Sequence, residues 1–133
     1  MRMDAENSDR EAAAKAYEKL LPESMDVLLL GMGMDGHIAS LFPNNPALRS
    51  RQRSVVPTTG PMSPCERLTI TPRVITQARS VFVLATGAEK GKVLAEALQS
   101  ADDFLSLPVR LTLAGTWLLD AEAEAQVLSH GKN

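Results

Sequence analysis

Seven consecutive residues, Gly31-Met32-Gly33-Met34-Asp35-Gly36-His37, gather the most chemically useful groups in the chain. Glycine lets a backbone approach a ligand closely and turn several N–H groups toward one anionic atom. Gly31, Gly33 and Gly36 therefore predict a substrate-binding bend. A histidine titrates near neutrality, so His37 could take a proton from water and return it to a leaving group. The glycine N–H groups could stabilise the oxyanion formed when water attacks a carbonyl. Asp35 would either orient that imidazole or cap a helix beginning at His37. The plain alternative is a structural loop histidine beside an ordinary N-cap, and spacing alone leaves both open.

The same stretch fits the G-x-G-x-x-G pattern of dinucleotide-binding loops, which requires a long following helix and an acidic residue about 20 positions on. Neither is present: Pro43 interrupts the segment, and no Asp or Glu lies between His37 and Cys65.

Two cations are candidates for an anionic substrate. Lys90 falls in the first turn of a predicted helix, where a lone cation opposes the helix dipole by about 0.3–1 kcal/mol. A phosphate at that helix terminus would make it favourable, and a solvated surface lysine is the alternative. Arg67 carries a planar fork suited to phosphate or carboxylate, with a local ion pair to Glu66 as its alternative. Arg49, Arg51 and Arg53 read as a solvated basic loop. Cys65 reads as a small hydrophobe, and His130 as part of a frayed tail. The chain has no G-x-S-x-G serine elbow. No metal-ligand spacing is present beyond the weak Asp35/His37 pair, so no metal or other cofactor is expected.

These residues need elements to hold them. Ser8 with Glu11 reads as a capping box opening a helix, with Ala13, Ala16, Tyr17, Leu20 and Leu21 on one face and Pro22 as its stop. Val27–Leu30, Val81–Ala85 and Thr116–Leu119 are short apolar runs, predicted as strands of a parallel sheet covered on both faces. Glu89–Leu98 is predicted as a helix facing inward through Val93, Leu94, Ala97 and Leu98, and Ala121–Leu128 as a closing helix. Residues 43–72 are broken by prolines into loops and short extended pieces, with Leu68–Thr71 a candidate strand and Pro72 opening a short helix. The alternation predicts one α/β domain over residues 1–133, with a mostly parallel sheet and flanking helices. In such sheets, ligands bind outside the carboxyl ends of the strands, where the glycine bend lies.

Asp26 to Pro43, reading DVLLLGMGMDGHIASLFP, resembles the signature of 6-phosphogluconolactonases. Glu66-Arg67-Leu68-Thr69-Ile70-Thr71, Thr86-Gly87-Ala88-Glu89-Lys90 and Trp117-Leu118-Leu119-Asp120 are similar to later motifs of that family, in order. The resemblance implies a sugar-isomerase-like, Rossmann-like fold and hydrolysis of 6-phosphoglucono-1,5-lactone to 6-phosphogluconate in the pentose phosphate pathway. It implies no metal requirement, a general base at His37 and a phosphate contact at Lys90. Family members are considerably longer, and begin with a phosphate loop and further substrate-binding arginines, so this chain resembles the family's C-terminal part. An inactive half-domain binding a sugar phosphate or a partner chain is the alternative. A glucosamine-6-phosphate deaminase-like isomerase would want a carboxylate shortly after the histidine, where this chain has Ser40-Leu41-Phe42-Pro43.

Composition sets the outer bounds. At 133 residues, 44% hydrophobic and 23% charged, the chain can form a globular core. A net charge of −2 provides no basic field for nucleic acid. The apolar runs are too short to span a membrane, and the start lacks the apolar stretch of a signal peptide. One cysteine suits a reducing cytoplasm. Three buried strands are few for a free-standing sheet, so an exposed edge and face are expected, and either a homo-oligomer covers that surface or the chain derives from a truncated gene.

Overall fold

Along the chain run α1 (Arg10–Glu18), β1 (Val27–Gly31), β2 (Val55–Thr59), β3 (Glu66–Ile70), α2 (Pro72–Gln77), β4 (Ser80–Ala85), α3 (Ala88–Gln99), β5 (Thr116–Leu119) and α4 (Ala121–His130). Short 3-10 turns occupy Pro46–Arg49 and Pro108–Thr112. These come from a computed structural model that describes residues 2–100 and 102–130.

The three apolar runs form one parallel sheet in the order β1-β4-β5. Residues paired in register share a face, because side chains alternate along each strand. Leu28, Leu30, Val83 and Ala85 point to a face packed on Ile38, Leu41, Ile75, Ala97, Leu107 and Val109. The opposite face is open among the described residues, as three strands alone lead one to expect, although the apolar runs by themselves predict cover on both sides. Val27 is 60% exposed, Leu29 65%, Leu84 49% and Leu118 43%. The apolar runs are continuous, as for a doubly covered sheet, but among the described residues only one layer covers them.

A second, smaller unit is the antiparallel pair β2–β3, on which α1 lies through Ala13 and Ala14 against Val55 and Leu68. β2 is one of the short extended pieces between prolines, not singled out as a strand by its sequence, and Pro57 pairs with Leu68 inside it. A two-stranded ribbon tolerates this because each strand has a free edge, where the missing N–H costs nothing. Helix α1 starts one residue later than the capping-box reading: Asp9, not Ser8, accepts from the Ala12 N–H at 2.9 Å. It also ends at Glu18, before Pro22, and Ala16 and Leu20 are exposed.

Arg53 is not a solvated loop cation. Its Nε donates to Glu18 at 2.7 Å and its Nη1 to Glu11 at 2.8 Å. Glu18 also accepts from the N–H groups of Ser54 and Val55. Burial disfavours its charge, but these N–H donors and the guanidinium outweigh it and hold its carboxyl below the ordinary value. The cluster ties α1 to the start of β2.

Helix α3 packs on α4 as well as on the sheet, which buries Gly91 and Ala95 and leaves Leu98 exposed, against the predicted inward face. Helix α4 runs on to His130, whose Nδ1 lies 2.9 Å from the Gln126 carbonyl, so this residue is helical rather than frayed. Cys65 is exposed, not a core residue.

Candidate active site

Strand β1 delivers the glycine bend to the carboxyl edge of the sheet, beside the loop that follows β4. The bend closes on itself: the Gly33 N–H donates to the His37 carbonyl at 2.9 Å and the Gly36 N–H to the Gly33 carbonyl at 3.1 Å. Both N–H groups are therefore spent inside the turn, which corrects their reading as donors aimed at a ligand. The Met34 N–H finds no acceptor among the described residues. Gly33 is needed for another reason. A Cβ there would overlap the His37 ring and lie 2.9 Å from Asp35 Oδ1. The imidazole thus folds over the bare backbone of residue 33. Gly36 adopts φ +76°, a left-handed conformation that favours glycine.

No helix begins at His37; the following residues form a turn. Asp35 is thus not a helix cap but an imidazole partner. Its Oδ1 lies 2.5 Å from His37 Nδ1 and accepts from the His37 N–H at 3.1 Å. Burial disfavours the Asp35 charge, yet the N–H and ring of His37 prevail and hold its carboxyl below the ordinary range. A carboxylate at Nδ1 selects the tautomer with its proton on that nitrogen. The lone pair is left on Nε2, and the His37 side chain is 31% exposed. The arrangement can accept a proton from a water molecule.

Lys90 lies in the first turn of α3, partly exposed, while neighbouring Lys92 pairs with Glu89 at 2.7 Å. A Cβ on Gly36 would come within 3.4 Å of Val93, so the glycine bend packs one helical turn from Lys90. The two loops share one end of the sheet. Gly87, at φ +86°, precedes α3, and its N–H donates to both carboxylate oxygens of Asp120 at 3.0 Å. Asp120 also accepts from the Ala123 N–H at 2.9 Å, and these donors lower its carboxyl from the ordinary value. Asp120 thereby joins the starts of α3 and α4.

Arg67 does not pair with Glu66, which binds Arg10 at 3.1 Å instead. Its Nε donates to the Pro64 carbonyl at 3.0 Å and its Nη2 to the Met62 carbonyl at 3.2 Å. The Ser40 N–H donates to Thr69 Oγ1 at 3.1 Å, tying the turn after His37 to β3. Phe42, Thr69 and Asp120 were not singled out from the sequence, although each falls inside one of the quoted motifs. Gly31 ends β1, exposed, and a Cβ there would meet nothing within 4 Å, so no close approach requires glycine at that position. Among the described residues, no cluster of three or more His, Cys, Asp or Glu could hold a metal ion, and no helix is long and apolar enough to cross a membrane.

Residues 1–119 match the family described as glucosamine-6-phosphate isomerases/6-phosphogluconolactonase. The chain is 40% identical to a 6-phosphogluconolactonase from Streptomyces coelicolor, covering 90% of this chain and 51% of that one. Identity to the human 6-phosphogluconolactonase is 38%, over 90% of this chain and 50% of the relative. The solved 6-phosphogluconolactonase from Trypanosoma brucei superposes with a TM-score of 0.74 at 34% identity, covering 91% and 55% of the two chains. A monomeric glucosamine-6-phosphate deaminase superposes with a TM-score of 0.72 at 25% identity, over 90% and 56%. The chain spans about half the length of the curated relatives it matches.

Proposed function

Because this chain belongs to the glucosamine-6-phosphate isomerase/6-phosphogluconolactonase family, we propose that it hydrolyses 6-phosphoglucono-1,5-lactone to 6-phosphogluconate, in the cytoplasm. The observation that carries the reading is the 2.5 Å contact between Asp35 Oδ1 and His37 Nδ1, which leaves Nε2 as a base at the carboxyl edge of the sheet. His37 Nε2 takes a proton from water, and the resulting hydroxide attacks the lactone carbonyl carbon. The carbonyl oxygen becomes an oxyanion, which the Met34 N–H can receive. Collapse of the tetrahedral intermediate breaks the bond to the ring oxygen, which takes the proton from Nε2 as the ring opens. Lys90 and Arg67 supply positive charge for the 6-phosphate, Lys90 at a helix N-terminus that itself favours an anion.

The test is 6-phosphogluconate release from freshly prepared lactone, measured above the spontaneous background. General base catalysis contributes about 10²–10⁴-fold, so His37→Ala should lower the rate by that order. Unchanged turnover in that variant removes His37 from the mechanism. A second reading is a domain that binds the phosphorylated sugar, through Lys90 and Arg67, without turning it over. Saturable binding of 6-phosphogluconate with no turnover of lactone would select it. The isomerase reading gains no support, since no carboxylate follows His37 before Glu66.

The open sheet face is completed by a second copy of this chain. Its rows carry Val27, Leu29, Phe82, Leu84 and Leu118 beside the polar Ser80 and Thr116 and hold no charge, so two copies can meet through it about a two-fold axis without burying an ion. Sedimentation should show concentration-dependent dimerisation, and a compact monomer at every concentration overturns this.

A further inference from the structure

The base and one of the cations share a single aromatic neighbour. The rings of His37 and Phe42 lie 4.6 Å apart, centre to centre, tilted by 43°. The Arg67 guanidinium carbon sits over the Phe42 ring at 5.5 Å. The first distance falls in the range aromatic pairs prefer, and the second within reach of a cation–π attraction. Phe42 is only 7% exposed, so its ring is fixed by packing rather than free to follow its neighbours.

The backbone is shaped to bring this about. The Leu41 N–H donates to the Ile38 carbonyl at 2.9 Å, and Ala39 adopts φ +51° between them. A left-handed conformation at a residue with a Cβ is costly and is kept where the surrounding structure over-determines it. This turn folds the chain back so that Phe42 reaches the ring of a residue five positions earlier. On the other side, Gly60 leaves room: a Cβ there would lie 2.8 Å from Arg67 Nε and 3.0 Å from the Phe42 ring.

We infer that Phe42 is a positioning residue, setting the His37 imidazole and the Arg67 guanidinium in register with one another. Asp35 fixes only the Nδ1 end of the imidazole, and a ring held at one corner can still swing. The carbonyls of Pro64 and Met62 fix the direction of the guanidinium but not its height above the site. Phe42 removes both freedoms at once. Its catalytic consequence rests on the lactonase reading; the stack itself does not.

Two measurements separate these. In NMR spectra of the full chain, Phe42→Leu should shift the His37 ring protons and the Arg67 Nε–H signal together, because both lose the ring current of one aromatic. Phe42→Tyr should leave both nearly in place. Gly60→Ala, which keeps the ring but crowds the stack, should move the same two signals if the leucine variant fails to fold. In turnover assays, Phe42→Leu should lower kcat and raise KM, together costing about tenfold or more in kcat/KM. Phe42→Tyr should restore both. Signals that stay put in Phe42→Leu, or in Gly60→Ala where that variant stands in for it, overturn the inference. So do unchanged kinetics in Phe42→Leu, or a folded Phe42→Tyr that rescues nothing. Shifted signals in a chain with no lactonase turnover would overturn the reading of function while leaving the stack in place.

Discussion

Asp35 touches His37 twice, once at the ring and once at the main chain, so it both aims the imidazole and shapes the bend that carries it. Removing it should misplace the base without deleting it. Asp35→Ala should therefore slow lactone hydrolysis less than His37→Ala does, and the double variant should be no slower than His37→Ala alone. Kinetics of the three variants check this, and additive losses would mean the two residues act separately. Asp35 also leaves a mark on stability. Its carboxyl is held below the ordinary value in the folded chain, so its contribution is fully present above that ordinary value and fades as pH falls through the lowered one. In acid-unfolding titrations, wild type and Asp35→Asn should differ most near neutrality and converge at the acid end. The residues that were legible beforehand are those whose partners are close in sequence, as Asp35 and His37 are. Arg53 was misread because Glu18 and Glu11 lie 35 and 42 residues away. Nothing in the residue type of Phe42 announces which neighbours a turn will give it.

Elements show the same division between local and distant causes. Strands β1, β4 and β5 were visible as apolar runs, and α2 as a proline in the first helical position, because these signals are local. Strand β2 was hidden by Pro57, which is acceptable only because its partner strand leaves that edge free. Gly91 is a further case. In the middle of α3 a glycine costs roughly 1 kcal/mol relative to alanine, so composition alone marks it as a flaw. The contact with α4 reverses that reading, since a Cβ would lie 2.5 Å from the Ala123 carbonyl oxygen and 2.7 Å from its Cα. Both are backbone atoms and cannot step aside without moving the helix. Gly91→Ala should thus destabilise: overpacking costs about 1–3 kcal/mol, and the gain in helix propensity offsets only part of it. A lowered thermal midpoint is the expected result, and a raised one would show that α3 and α4 are more loosely packed than this.

At the scale of the whole molecule the governing fact is a parallel sheet with one face bare among the described residues. Each leucine there is a local success of the sequence pattern, and only the count of covering elements among the described residues shows that the face stays open. The consequence can be tested without disturbing the monomer. Leu29 is 65% exposed, so exchanging it should cost the isolated chain little. In a two-fold interface the same change is felt twice, once from each copy. Burying a leucine is worth about 1.5–3 kcal/mol, and a charge in its place must also be desolvated. Leu29→Lys should accordingly weaken dimerisation by at least about 2 kcal/mol, roughly thirtyfold in Kd. Sedimentation should show the variant as monomer at concentrations where wild type is dimeric, with the circular dichroism of the two unchanged. If Leu29→Lys dimerises as well as wild type, the contact between copies lies elsewhere.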